Sequence, residues 1–195
     1  MAEPELRCIA SRSFLSHSTE ATEAFGAALA RAIEADPELV RTGVALTLEG
    51  ELGSGKTAIA RGVARGLGAP DRVHSPSFTL MHTYEGRLPI YHFDAWMEGR
   101  ERAFLEGGGA EWLDRGGVAL IEWASRVEAW LPLPRLGLLL EHMGPLAPDT
   151  RRLSLSALAS RTGAGALARS RAMEALVRGL RVGEIQVAPG AIEEA

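Results

Sequence analysis

The sequence predicts an α/β domain with a mixed parallel and antiparallel sheet flanked by helices. Three observations carry that expectation. An apolar run, Val44–Leu48, leads at once into a glycine-rich turn and then into a segment of helical periodicity. Two further apolar runs, Ile90–Phe93 and Val118–Ile121, each end in a carboxylate, as buried strands opening into an α/β crevice do. Hairpin signals before and after these runs add antiparallel strands.

The elements follow in chain order. Ser18 or Thr19 is the expected N-cap of a first helix, whose face is Phe25, Ala28, Leu29, Ala32 and Ile33 and which Asp36-Pro37 ends. From Thr57, the apolar residues Ile59, Val63 and Leu67 recur at helical spacing, and Gly68 is placed to stop that helix. Phe78–Tyr84 and Leu88–Phe93 flank Glu85-Gly86-Arg87, which reads as a hairpin. Leu105–Arg115 reads as a helix broken at Gly107–Gly109, and Gly116-Gly117 precede the strand Val118–Ile121. Leu136–Leu140 and Leu153–Leu155 form a late hairpin across the proline-containing segment 145–148. The division expected is a domain at 1–158 and a C-terminal extension at 159–195. In the extension, Met173, Leu176, Val177 and Leu180 mark an amphipathic helix.

Composition narrows the function classes. The chain has 195 residues, a net charge of −4 and 24% charged residues, which fits a globular chain and excludes an acidic disordered one. No stretch approaches the roughly 18 to 20 apolar residues of a membrane span. The N-terminus lacks a secretory pattern and Cys8 is the only cysteine, so a cytoplasmic location is expected. His17, His74, His82 and His142 show no metal spacing. Residues 151–181 carry seven arginines and one acidic residue, yet the acidic body argues against broad nucleic-acid binding. Lys56 is the sole lysine in the chain. A position that keeps its ammonium against so strong a bias toward arginine calls for a chemical reason.

That reason lies in Gly50-Glu51-Leu52-Gly53-Ser54-Gly55-Lys56-Thr57, which matches the phosphate-binding pattern G-x-x-x-x-G-K-[ST] between strand and helix. The glycines let backbone N–H groups converge on phosphate oxygens, and the helix N-terminus adds its positive end. Lys56 is suited to the β- and γ-phosphates of a nucleotide as a compact charge. The Thr57 hydroxyl is suited to Mg²⁺. A P-loop also needs a strand-end carboxylate, and Asp94 and Glu122 are the candidates. One would hold the metal and the other would orient water. His92 reads equally as a buried structural histidine or a catalytic one. Trp123 reads equally as core or site.

Taken in order, GELGSGKT, HSPSFTLMHTY, IYHFDAW and ALIEW resemble the TsaE (YjeE) family, from about Ser18 to about Ala157. The resemblance implies a P-loop NTPase-like mixed sheet and a small ATPase that uses ATP and Mg²⁺. It implies a role in making tRNA threonylcarbamoyladenosine, with the TsaD–TsaB transferase as partner and tRNA met only through that complex. It further implies phosphate and metal roles for Lys56 and Thr57, and nucleotide contacts from Glu51, Gly53, Ser54 and Gly55. Asp94 and Glu122 are implied in metal binding and hydrolysis, and Trp123 beside the nucleotide. Ser75 and Thr79 fall in a nucleotide-sensing loop, and Glu20 and Thr22 near the base. The chain departs from the family at Glu51 (usually Asp), Ser77 (more often Thr) and Trp96-Met97 (usually Tyr-Arg), with Arg100 or Arg102 as substitutes for the lost guanidinium. It also continues nearly forty residues past the last matching strand. A small-molecule or nucleoside kinase and a non-catalytic nucleotide-sensing module remain alternatives on the residues alone.

Overall fold

The computed structural model describes residues 6–69, 73–76, 79–96, 99, 111, 115–160, 167–181 and 191–195. Eight strands form one sheet: β1 (Leu6–Ser16), β2 (Val44–Glu49), β3 (Met81–Tyr84), β4 (Ile90–Asp94), β5 (Val118–Glu122), β6 (Arg135–His142), β7 (Arg151–Ser160) and β8 (Ile192–Glu194). Their order across the sheet is β3-β4-β5-β2-β6-β7-β1-β8. The four central strands β4, β5, β2 and β6 run parallel, and the flanking pairs are antiparallel. The predicted mixed sheet is present, and both predicted hairpins form, β3–β4 and β6–β7. The broken helix expected at Leu105–Arg115 falls almost wholly outside the described residues, as do Met97, Arg100 and Arg102.

Both faces of the central strands are covered, which is why those strands read as unbroken apolar runs. Val44, Leu46, Leu48, Val118 and Leu120 point into the larger core, while Ala45, Ala119, Ile121, Tyr91 and Phe93 point into a smaller one on the other face. Helix α1 (Thr19–Ala35) is capped by Ser18, whose hydroxyl accepts from the Ala21 N–H, as expected. Asp36 closes α1 and then caps α2 (Pro37–Thr42), so Pro37 opens a second helix as well as ending the first. Helix α3 (Lys56–Gly66) lies against α1 with almost no gap. A Cβ on Gly62 would lie 2.0 Å from the Glu23 carbonyl oxygen, and one on Gly26 2.6 Å from that of Ile59. These helices and α4 (Leu167–Gly179) share the larger core with β1.

Strands β1 and β8 have no counterpart in the sequence reading. In β1, Ala10, Phe14 and Ser16 are buried at period two, but Arg12 shares their parity and interrupts the apolar pattern. Its guanidinium donates to the Arg178 and Leu180 carbonyls at the C-terminus of α4 and pairs with Glu194 of β8 at 2.6 Å. An arginine there satisfies carbonyls that the helix end leaves without intrahelical partners. The amphipathic helix of the extension is present, with Met173, Leu176, Val177 and Leu180 buried against the domain and Arg171, Arg178 and Arg181 on its outer side. Among the described residues, no helix is long and apolar enough to cross a membrane.

Candidate functional site

Strand β2 delivers the chain to the turn 50–55, where Gly50, Gly53 and Gly55 adopt φ of 141°, 77° and 109°. These are values that only glycine takes readily. At Gly50 a Cβ would lie 2.3 Å from the Leu140 carbonyl oxygen, so the loop is seated on β6. At Gly53 a Cβ would meet nothing within 4 Å, because that residue faces the cleft. Helix α3 starts at Lys56 without a side-chain cap, an arrangement that suits an anion at its first turn.

Lys56 is 5% exposed as a residue. Its ammonium donates to the Gly50 and Glu51 carbonyls at 2.7 and 2.9 Å and stands 3.8 Å from the centre of the Trp123 ring. Burial lowers its pKa, and the fields of Glu122, Glu49 and Asp94 offset part of that shift. Thr57, next in the helix, donates its hydroxyl to Glu122 Oε1 at 3.2 Å.

Register explains the placement of the carboxylates. Glu122 ends β5 beside Leu48 of the P-loop strand, and Asp94 ends β4 beside Glu122. Both are buried, at 3% and 2% exposure. Glu122 Oε1 also accepts from His92 Nε2 at 2.9 Å. A carboxylate only accepts, so the pair requires the hydrogen on Nε2. His92 Nδ1 is buried without a hydrogen-bond partner, and an unpaired acceptor there is less costly than an unpaired N–H. The histidine that the sequence left undecided is therefore buried and in contact with the site. Asp94 is held at both oxygens, by the Ser75 hydroxyl at 3.0 Å and the Trp96 N–H at 2.9 Å.

Trp123 follows β5 in a left-handed conformation, φ 59° and ψ 40°, which turns the chain back over the P-loop. Its ring packs on Trp96, centroids 4.3 Å apart, and Arg126 lies over Trp96 at 5.4 Å. The two tryptophans, the glycine turn, Lys56, Thr57 and the two carboxylates bound a cleft of about 650 Å³. Gly53, Gly55, Lys56, Thr57, Asp94, Glu122 and Trp123 all line it, as do Ser75 and Trp96.

Other sequence candidates stand apart. The Glu51 side chain is exposed and does not line the cleft; its carbonyl is what meets Lys56. Ser54 is fully buried, with a hydroxyl that has no partner, and also lies behind the cleft wall. Thr79 pairs with His82. At the start of α1, Glu20 is exposed and Thr22 is buried against Ser16, while Thr19, just before them, reaches the cleft. Arg61 and Arg126 supply guanidinium groups at the cleft or beside it. The sequence offered Thr19 only as a helix cap and gave no sign of Arg61, Arg126 or Glu49, since none sits in a motif whose spacing announces it.

Among the described residues, no three His, Cys, Asp or Glu side chains form a metal cluster. The donors available are the Thr57 hydroxyl with the Glu122 and Asp94 carboxylates, all hard oxygens. One or two carboxylates completed by substrate phosphates is the set that Mg²⁺ commonly takes, so these residues fit that ion.

The sequence and fold have known counterparts. The family model described as threonylcarbamoyl adenosine biosynthesis protein TsaE matches residues 16–152, well over half of the chain. The tRNA threonylcarbamoyladenosine biosynthesis protein TsaE of Bacillus subtilis (strain 168) is 39% identical over 122 residues, covering 62% of this chain and 74% of that protein. The protein of the same name from Treponema pallidum (strain Nichols) is 35% identical over 127 residues, covering 65% and 84%. The crystal structure of B. subtilis YdiB superposes with a TM-score of 0.63 at 32% identity, covering 89% of this chain and 98% of that one. On this match of sequence and fold, the chain belongs to the TsaE family of tRNA threonylcarbamoyladenosine biosynthesis proteins.

Proposed function

We propose that the cleft binds ATP with Mg²⁺ and hydrolyses it, and that this hydrolysis supports turnover of the TsaD–TsaB threonylcarbamoyltransferase. The observation that carries the reading is the Thr57–Glu122 contact at the head of α3, beside a buried Lys56. A hydroxyl and a carboxylate held together at a strand end, one residue from the phosphate-binding ammonium, is the donor arrangement of a nucleotide–metal site.

Each residue has a distinct task. The N–H groups of the glycine turn and the first turn of α3 receive the phosphate chain. Lys56 exchanges its two loop carbonyls for β- and γ-phosphate oxygens. Thr57 and Glu122 hold the metal, with His92 fixing one Glu122 oxygen. When bound, Mg²⁺ neutralises charge developing on the transferred phosphoryl group. Asp94, anchored by Ser75 and the Trp96 N–H, orients the attacking water or the metal's hydration shell. Trp123 and Trp96 form an apolar wall that restricts water. A cytoplasmic protein meeting tRNA through its partners accords with the acidic body and the lone cysteine.

The test is reconstitution. Basal hydrolysis should be slow and should rise when TsaD and TsaB are added, with threonylcarbamoyladenosine forming over several turnovers only when this protein is present. Rapid hydrolysis indifferent to those partners would contradict the reading, and phosphate appearing on a nucleoside would favour a kinase. Glu122→Gln should abolish hydrolysis and multiple turnover together; turnover without hydrolysis would indicate a nucleotide-sensing module.

A further inference from the structure

Glu49 is the last residue of β2, directly before the phosphate-binding turn, and no motif includes it. Its carboxylate reaches past the end of the neighbouring parallel strand β5 and accepts from the Ser125 N–H at 2.5 Å. Ser125 lies in the first turn of the 3₁₀ helix Ala124–Trp130, whose N-cap residue is Trp123. Tryptophan has no oxygen to cap with, and the structure shows no side-chain cap from that residue. Glu49 provides the acceptor from another strand, and its negative charge suits the positive end of the helix.

The site has reason to need it. Trp123 holds a left-handed conformation that a bulky L-residue adopts only under constraint. The Trp123 N–H is tied to the Leu48 carbonyl at 3.0 Å, fixing the near side of the turn. The Glu49–Ser125 bond fixes the far side. Between the two, the ring swings back over the loop and stands 3.8 Å from the Lys56 ammonium.

We propose that Glu49 is a positioning residue: it caps the 3₁₀ helix, holds Trp123 in its left-handed turn, and so keeps that ring against Lys56 at the mouth of the phosphate cradle. It acts on nucleotide binding through Trp123, without touching the nucleotide. The consequence for affinity rests on the nucleotide-site reading above; the consequence for the Trp123 ring does not.

The test uses the full chain labelled with ¹⁵N-tryptophan. Its four tryptophans give four indole N–H resonances, and Trp123→Phe assigns one by its disappearance. Glu49→Asp keeps the charge but loses reach, whereas Glu49→Gln keeps reach and an acceptor oxygen but loses charge. Glu49→Asp should displace the Trp123 resonance selectively and weaken binding of a non-hydrolysable ATP analogue on the order of fivefold, the cost of a lost cap. Glu49→Gln should restore both to near wild-type values. Rescue by Asp with failure of Gln would overturn the capping role in favour of a purely electrostatic one. An unmoved Trp123 resonance in both variants would overturn the proposal altogether. If the wild-type chain binds no ATP, the nucleotide reading fails, while the resonance comparison still decides the role of Glu49.

Discussion

Replacing Lys56 with methionine keeps the unbranched stem of the side chain and removes the ammonium, and it separates binding from stability. In the fold, the ammonium donates to the Gly50 and Glu51 carbonyls at 2.7 and 2.9 Å. Losing these bonds costs about 1 kcal/mol each. Against that stands the burial that lowers the Lys56 pKa, which shows that the folded site disfavours the charged form relative to water. Methionine relieves that penalty, so net stability should stay within about 1 kcal/mol of wild type. Binding has a smaller offset, the two loop carbonyl bonds that the ammonium gives up. Two charge-assisted bonds to phosphate oxygens, at about 1.5 to 3 kcal/mol each, less about 1 kcal/mol for each carbonyl bond, leave a loss of roughly 5- to 10³-fold in ATP affinity. Linkage gives a further sign. A lysine with a depressed folded pKa costs stability below that pKa, and the cost disappears as pH rises toward the ordinary value of 10.5. The wild type should therefore gain on the methionine variant as pH rises through that window. Isothermal titration calorimetry with ATP and Mg²⁺, and urea unfolding at two pH values, measure both quantities. A variant that binds ATP as tightly as wild type, or loses as much stability as a core deletion, refutes the reasoning.

Three other perturbations follow. His92→Ala empties a fully buried site and removes a donor to Glu122, and should cost about 2 to 3 kcal/mol in urea unfolding. Its hydrolysis rate should fall by more than its nucleotide affinity, and equal losses would separate His92 from the carboxylate's function. Gly62→Ala drives a methyl group into the Glu23 carbonyl and should destabilise by about 3 kcal/mol in the same assay. A neutral result would mean that α1 and α3 separate easily. Truncation after Ser160 uncovers core contacts of Met173, Leu176, Val177, Leu180 and Ile192, and should lower stability by several kcal/mol on thermal unfolding. An unchanged melting temperature would show the tail to be dispensable for the fold.

The sequence by itself determined the parts of this protein whose chemistry is contiguous. The run from Gly50 to Thr57 sets glycine, ammonium and hydroxyl within one turn, and Asp94 and Glu122 announce themselves because each ends an apolar strand. Helix α4 was legible for the same reason, since its buried residues repeat at a local period. What only the tertiary structure decided concerns neighbours distant along the chain. Strand order put Glu122 beside the P-loop strand and Asp94 one strand farther out, so it is Glu122 that meets Thr57. The same order brought His92 to Glu122 and Glu49 to Ser125. Strand β1 escaped detection because Arg12 stands where its period calls for an apolar residue, and the α4 carbonyls that justify that arginine lie more than 160 positions away. Local periodicity records which face of an element is buried. Which strand lies alongside, and therefore which polar side chains share a hydrogen bond, follows from packing the whole sheet.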